Sequence, residues 1–213
     1  MVGTRPDMAY AIGVLGKYCN TPTTLNLKVA RKLVSHLHGT REASITYPRG
    51  SGKLDVCGYM DADWGGDKVD RRSTTGYVFT VNGMPVSWSS KRQPTIVLSS
   101  TEAEYMAATQ ATKEAIWLRR LLKDLGHEEE GPTVLMEDNQ GCIALSKNPI
   151  HHSRTKHIDI QWHFIREKVE TGEVVLKYIP IDEQVVDLLT KALDKKRHLD
   201  LVVKIGMSLG PST

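Results

Sequence analysis

The chain has 213 residues, of which 40% are apolar and 25% are charged, and its formal net charge is +3. This length suits one domain of about 100–200 residues with a small extension. No segment approaches the roughly 20 apolar residues of a membrane helix, and the start, MVGTRPDMAY, lacks the charged-then-apolar order of a signal peptide. We therefore expect neither a membrane protein nor an exported one.

The charge distribution and the cysteine content further limit the classes of protein to which the chain can belong. Residues 1–53 carry eight Lys/Arg and two acidic residues, whereas residues 54–213 carry a net charge of −3. A basic arm beside an acidic centre suits a protein that binds a polyanion and holds cations, although a solvated basic helix explains the arm equally well. Cys19, Cys57 and Cys142 are too few and too scattered to indicate a disulfide framework or a thiolate zinc site, which fits a reducing compartment.

The first 50 residues are predicted to be a basic helical segment. Helical patterns run from Pro6 to Tyr18 and from Leu25 to His38, separated by the turn NTPTT. Two helices without a sheet of their own make a poor independent domain. We therefore expect residues 1–50 to be an appendage of the larger domain that begins near residue 51.

Residues 51–195 are predicted to form an α/β domain. Three strand-like segments come first, with a hairpin signal at Asn82-Gly83, and helices then alternate with strands. The order βββαβααβα predicts a mixed five-stranded sheet flanked by helices. Residues 196–213 form a tail with one further helical pattern, Leu199–Ile205. The predicted strands are Leu54–Asp61, Thr75–Val81, Pro85–Ser89, Thr133–Asp138 and Val174–Ile179, and the helices are Ser100–Leu125, Gly141–Ser146, Ile158–Val169 and Glu183–Leu193.

The stretch YMDADWGGD places Asp61 at the end of the first strand, where open α/β sheets usually bind ligands. A turn aspartate before Gly65-Gly66 is the simpler interpretation. A calcium-binding loop is excluded, because Gly65 stands at its fifth position and Arg72 replaces the glutamate of its twelfth. Asp61 is thus a candidate that needs further carboxylates nearby.

The long helix offers two glutamates, and helix geometry separates them. Glu104 shares a face with the small residues Ala107 and Ala111, which let a helix approach a sheet, whereas Glu102 points away. Ser99 and Glu102 also have the spacing of a capping box. A glutamate facing a sheet must be paired or bound to metal, so Glu104 is the functional candidate.

Two later aspartates are less clear from pattern alone. Asp138 closes the buried strand TVLMED, where it either caps the next helix or holds a cation. Asp187 lies at i±4 from Glu183 and Lys191, which is ordinary salt-bridge spacing, so pattern alone predicts a solvated residue.

Taken together, six motifs resemble, in order and spacing, the ribonuclease H region of copia-type LTR retrotransposon polyproteins. The resemblance covers roughly residues 53–194, and the predicted element order also matches the ribonuclease H fold. TRPDMAYAIGVLGKYC and LVSHLHGT resemble the end of the reverse transcriptase that precedes it, while the polymerase palm is absent. The motifs are YMDADWGGD, RRSTTGYVF, SWSSKRQPTIVLSSTEAEYMAA, MEDNQGCIAL, RTKHIDIQWHFIRE and DEQVVDLLTKAL.

The resemblance implies a catalytic and metal-binding set of Asp61, Glu104, Asp138 and Asp187, and for Asp187 it overrides the pattern. Such a site would hold two Mg²⁺ ions, with Mn²⁺ as an alternative, and hydrolyse the RNA strand of RNA–DNA hybrids. Metal-free carboxylates this close should have raised pKa values. Many relatives carry a histidine before the last aspartate, and YIPIDEQ has none. This departure concerns product release and leaves the reaction class unchanged.

Substrate contacts are expected beside these acids. Polar side chains could read the 2′-hydroxyl of RNA, and basic ones could hold phosphates. Trp64 could stack on substrate, whereas Trp88, Trp117 and Trp162 are assigned to the core or its edge. The cluster of His151, His152, Arg154, Lys156 and His157 suits backbone contact or a solvated surface better than zinc. The polar candidates are Ser73, Thr74, Asn139 and Gln140, and the basic candidates are Arg71, Arg72, Lys91 and Arg92.

Two classes of function stay open from the sequence. The first is a ribonuclease H acting in reverse transcription, with the rest of a Pol polyprotein as a potential partner. The second is a catalytically silent or co-opted fragment that only binds nucleic acid. An integrase-type transferase shares the fold, but a glutamate on the helix between the third and fourth strands favours the ribonuclease arrangement.

Overall fold

The computed structural model describes residues 3–49, 54–147 and 156–210, without the side chains of 156–159. The chain starts with a 3-10 turn at Pro6–Met8, the helices α1 (Ala9–Gly16) and α2 (Thr24–Gly39), and the strand β1 (Ser44–Ile45). The strands β2 (Val56–Asp63), β3 (Thr74–Val81) and β4 (Met84–Arg92) come next. They are succeeded by α3 (Ser100–Asp124), β5 (Thr133–Glu137), α4 (Gln140–Lys147), α5 (Lys156–Glu170) and β6 (Val174–Tyr178). The last elements are a 3-10 turn at Ile181–Glu183, α6 (Asp187–Thr190), α7 (Lys195–Lys204) and β7 (Met207–Ser208).

The predicted ribonuclease H-like mixed sheet is confirmed. Its strand order is β4-β3-β2-β5-β6, with β2 at the centre. β2 pairs antiparallel with β3 and parallel with β5, and β5 pairs parallel with β6. The hairpin between β3 and β4 turns at Asn82 and Gly83, which both have positive φ, as a tight two-residue turn requires.

Helices cover both faces of this sheet. On one face α3 packs closely because Ala108 and Ala111 are small and fully buried, and they meet Phe79 and Leu135 from the strands. On the other face α6 and α7 contribute apolar side chains such as Leu189 to a second cluster. No helix among the described residues is both long and apolar enough to cross a bilayer.

The predicted extent of the last helix of the α/β domain is wrong. The expected helix Glu183–Leu193 is a 3-10 turn followed by the four-residue helix α6. Gln184 interrupts it, because its side chain is fully buried and its Nε2 donates to the Met60 carbonyl at 2.9 Å. At the other end, Lys191 adopts an extended backbone that ends the helix.

The N-terminal segment and the tail pack against each other, which the sequence pattern did not predict. β1 pairs antiparallel with β7, and His198 of α7 bonds the Asp7 carbonyl at 3.1 Å. Burial acts to raise the pKa of Asp7, but hydrogen bonds from Arg5 and His36 outweigh it and lower this pKa to about 2. The predicted tail helix is present as α7, while the division of the chain at residues 50 and 195 stays a prediction.

Candidate active site

The sheet brings the acidic side chains together at one end of its strands. β2 and β5 are adjacent and parallel, so their carboxyl ends, which carry Asp61 and Asp138, lie side by side. Glu104 reaches the same point from α3. One carboxylate oxygen from each of these three residues lies within 4.8 Å of the others. Three of the four predicted catalytic acids therefore come together, and we call the place where Asp61, Glu104 and Asp138 meet the acidic pocket.

Asp61 is almost completely buried, with 3% of its surface exposed. Its Oδ2 accepts a hydrogen bond from the Thr190 hydroxyl of α6. Burial raises the pKa of Asp61 to about 6, and the charges of Asp187 and Asp138 add to this, while Lys191 and Thr190 oppose it. The carboxylate thus occupies a place where a cation would stabilise its charged form.

Glu104 and Glu102 take the positions that helix geometry predicts. Glu104 is 6% exposed, and its Oε2 is buried without a hydrogen-bond partner among the described residues. Burial, followed by the charges of Glu137 and Asp61, raises the pKa of Glu104 well above its usual value. Glu102 serves the helix start instead, because its amide donates to Ser99 Oγ at 3.2 Å and its Oε2 accepts from the Leu98 amide at 2.8 Å.

Asp138 does not cap α4, a role that the sequence pattern had left open. Asn139 caps α4, since its Oδ1 accepts a hydrogen bond from the Cys142 amide at 3.0 Å. Asp138 is half-buried, and burial together with the charge of Asp187 raises its pKa. Its carboxylate is left to face Asp61 and Glu104.

Glu137 is a buried acid that sequence reasoning missed. It is fully buried, its Oε1 accepts from the Asn139 amide at 2.9 Å, and its Oε2 has no partner in the described chain. Burial raises its pKa well above the usual range, and the charges of Asp138 and Asp61 add to this, while the Asn139 amide opposes it. The alternation of β5 could have revealed it, because Thr133, Leu135 and Glu137 share the buried face.

Asp187 lies beside the pocket, outside the group of three. The expectation from pattern that it is solvated is wrong, because α6 packs against the sheet and leaves Asp187 only 5% exposed. The predicted i±4 pair is present, with Lys191 Nζ 2.7 Å from Asp187 Oδ1. Arg197 Nη2 lies 3.4 Å from its Oδ2.

The predicted substrate-contact residues cluster at the same edge of the sheet. Asp63 pairs with Thr74, and Thr74 pairs with Arg92, so these positions lie at the same end of the sheet as Asp61. Ser73 is fully buried, and its Oγ accepts from the Gly65 amide at 3.1 Å, so it shapes the loop and is no longer favoured as a contact with RNA. The remaining side chains are exposed or partly exposed: Arg71, Arg72, Lys91, Asn139 and Gln140.

Several of these side chains already have partners within the protein. Arg92 contacts Asp70 and lies 3.7 Å from Asp67, and Arg72 Nε lies 3.7 Å from Asp70. Asn139 is occupied as the α4 cap. Lys91 and Gln140 are exposed, and their contact with nucleic acid stays a prediction.

The aromatic and histidine predictions have mixed outcomes. Trp64 is 52% exposed next to Asp63 and remains a stacking candidate. The assignment of Trp117 to the core or its edge is wrong, since it is 54% exposed on the outer side of α3. Trp88 and Trp162 are half-buried, as expected. His151, His152 and Arg154 lie outside the described residues, as do the side chains of Lys156 and His157.

Comparison with individual known proteins shows the family of the chain, although no protein-family model matches it. It is 39% identical over 208 residues to the Retrovirus-related Pol polyprotein from transposon RE1 of Arabidopsis thaliana, covering 98% of the chain and 14% of the relative. It is 41% identical over 208 residues to the corresponding polyprotein from transposon TNT 1-94 of Nicotiana tabacum, covering 97% of the chain and 15% of the relative.

One solved structure with a similar fold is that of LC11-RNase H1 in complex with an RNA/DNA hybrid. Its TM-score is 0.47 and its identity 16%, over 66% of the chain and 98% of that protein. The two transposon relatives align along almost the whole chain, which spans 14% and 15% of their length. The chain therefore belongs to the Pol polyproteins of copia-type retrotransposons, of which it corresponds to one segment.

Proposed function

We propose that the chain is a ribonuclease H that hydrolyses the RNA strand of RNA–DNA hybrids during retrotransposon reverse transcription. The observation that carries this proposal is the convergence of Asp61, Glu104 and Asp138, with carboxylate oxygens within 4.8 Å of one another. Homology to transposon Pol polyproteins supports the same function.

The donor set fits magnesium. All three groups offer hard oxygen ligands, and Mg²⁺ lies about 2.1 Å from each ligand, so two ligands of one ion are at most about 4.2 Å apart. A small side-chain adjustment is enough to bring oxygens within 4.8 Å to that spacing. The buried Oε2 of Glu104 also lacks a partner in the described part of the chain, as expected of a group that awaits a cation. Mn²⁺ has the same ligand preference.

We assign each acid a role. Asp61, Glu104 and Asp138 hold the divalent ions, and Asp187 supports the pocket from α6 and joins the ligand set if Lys191 moves away. Bound magnesium ions supply charge neutralisation at the attacking and leaving oxygens and activate water. Because burial raises the pKa values of Asp61 and Glu104, these groups release protons when a cation binds, and metal affinity should increase with pH.

RNA selectivity would come from groups that flank the acids. Thr74 and Gln140 are exposed enough to reach a 2′-hydroxyl, which distinguishes RNA from DNA. Lys91 and Arg71 are exposed, and we expect them to attract phosphates through a salt-sensitive contact.

The test is cleavage of a hybrid with a labelled RNA strand in the presence of magnesium, beside duplex DNA and duplex RNA. The proposal expects cut RNA only from the hybrid, with 5′-phosphate ends, and no cutting by Asp61→Asn or Glu104→Gln. Hybrid binding by fluorescence anisotropy is measured in parallel. A wild-type protein that binds the hybrid and cuts no strand would identify the chain as a silent nucleic-acid-binding fragment.

A further inference from the structure

A second concave site lies between the N-terminal segment and the edge of the sheet that carries the acids. It is a cleft of about 290 Å³, which we call the α1 cleft. One wall is α1 with the two residues that succeed it, and the other is the β2–β3 loop with the ends of β3 and β4. Its polar and cationic lining comes from both walls: Tyr10, Lys17, Tyr18, Lys68, Thr74 and Arg92.

The α1 cleft has more positive than negative groups. Lys17 and Arg92 share the carboxylate of Asp67, and Arg92 also contacts Asp70. Lys68 lines the cleft and makes no ion pair with any described residue. Burial and the nearby charge of Arg92 lower the pKa of Lys17, as expected where two cations compete for one acid. An anion in the cleft would relieve this repulsion.

The cleft adjoins the proposed catalytic pocket. Thr74 lines it and pairs in the sheet with Asp63, two residues after Asp61. Tyr10 lines the cleft together with Thr74, and burial and the charge of Asp63 raise its pKa. The acids and the α1 cleft therefore lie at the same end of the sheet, so one nucleic-acid strand can extend from one to the other.

We infer that the α1 cleft binds the phosphodiester backbone of the nucleic acid on which the acidic pocket acts. Lys17, Lys68 and Arg92 contact phosphates, and the Tyr10 hydroxyl can donate a hydrogen bond to the backbone. The identity of this polyanion rests on the proposed function, whereas the charge and shape of the cleft do not. The inference makes the segment that resembles the end of a reverse transcriptase part of the substrate site.

The salt dependence of binding tests this inference. A fluorescein-labelled hybrid is titrated with the full chain in EDTA, at salt concentrations from about 50 to about 200 mM, so that no cleavage is needed for the readout. The double variant Lys17→Gln/Lys68→Gln is compared with Lys28→Gln/Lys32→Gln on α2, which has the same change of charge on exposed residues outside the cleft. Lys68→Gln alone is included because replacing Lys17 also alters the Asp67 contact.

Each lost phosphate contact should make the negative slope of log affinity against log salt shallower by about 0.9. The cleft double variant should bind roughly tenfold more weakly than its control at about 50 mM salt. Lys68→Gln should give about half of that change in slope. Equal slopes for the cleft and α2 variants would overturn the inference and leave the nuclease proposal intact. If the cleft variants lose affinity but the wild-type protein cuts no hybrid, the inference about the cleft would stand and the nuclease proposal would fail.

Discussion

Lys191 Nζ lies 2.7 Å from Asp187 Oδ1, at the border of a pocket that contains three further carboxyl groups. The charge of the same ammonium group opposes the rise that burial causes in the pKa values of Asp61 and Asp138. Lys191 therefore acts as an internal counter-charge, doing part of what a divalent cation would do. The charge of Lys191 thus offsets part of the repulsion among Asp61, Asp138 and Asp187 when no metal is bound.

Lys191→Met should destabilise the metal-free protein. Its removal leaves the buried Asp187 with Arg197 as its cationic partner and should lower the free energy of unfolding by about 1–2 kcal/mol. Magnesium should then stabilise the variant more than it stabilises the wild type. Urea unfolding with and without magnesium measures both effects, with the exposed Lys196→Met as control. A variant that is as stable as the wild type without metal would show that Lys191 has no such role.

Stability without metal should fall as the pH rises from about 4 to about 7. The folded-state pKa of Asp61 is about 6 against an ordinary 3.8, so the folded protein binds this proton more tightly than the unfolded chain. The contribution of Asp61 is complete below about pH 4 and is lost as the pH passes about 6, by at most about 3 kcal/mol. Unfolding of the wild type and Asp61→Asn in EDTA across this range tests it. The Asn variant should have the flatter curve, and parallel curves would refute the assigned shift.

The two glutamates of α3 should respond differently to substitution. Glu102→Ala removes the bond to the Leu98 amide and should lower the free energy of unfolding by about 1 kcal/mol, while leaving hybrid cleavage unchanged. Glu104→Gln should abolish cleavage and leave the fold intact. Thermal melting and the cleavage assay separate these effects. A folded Glu102→Ala protein without activity would reverse the two assignments.

Gly76 links the sheet to the helix that carries Asp187. It pairs with Asp61 in the sheet, and a Cβ at this position would lie 2.7 Å from side-chain atoms of Thr190 and Val186. Gly76→Ala should therefore push α6 outward, lower the free energy of unfolding by about 1–3 kcal/mol and reduce cleavage. Gly126→Ala is a useful contrast, because its positive φ strains any side chain there while no described atom lies within 4 Å of an added Cβ. A Gly76→Ala protein with full activity would show that α6 does not need this close approach.

The sheet and the inward glutamate were predictable because each depends on local periodicity. Strand alternation and the Asn82-Gly83 turn indicated the hairpin, and helix spacing placed Glu104 inward and Glu102 at the helix start. The positions of these side chains are thus encoded within a few residues of each. The prediction that they converge with Asp138 required the family resemblance, since the order of strands in a sheet does not follow from local sequence.

The features that escaped prediction depend on contacts between distant segments. Asp187 was expected in solvent because it lies at i±4 from Glu183 and Lys191, whereas its burial comes from the packing of α6 on β3. Gln184 broke the expected helix through a bond to Met60, 124 residues away. The pairing of β1 with β7 likewise joins the two ends of the described chain. No sequence window contains such pairs.

The most direct test of the central claim is the anomalous scattering of manganese in crystals of the wild type and of Asp61→Asn. Density between the carboxylates of Asp61, Glu104 and Asp138 in the wild type, lost or weakened in the variant, is the result that we predict. Manganese absent from this pocket in a crystal that binds the ion elsewhere would contradict the account.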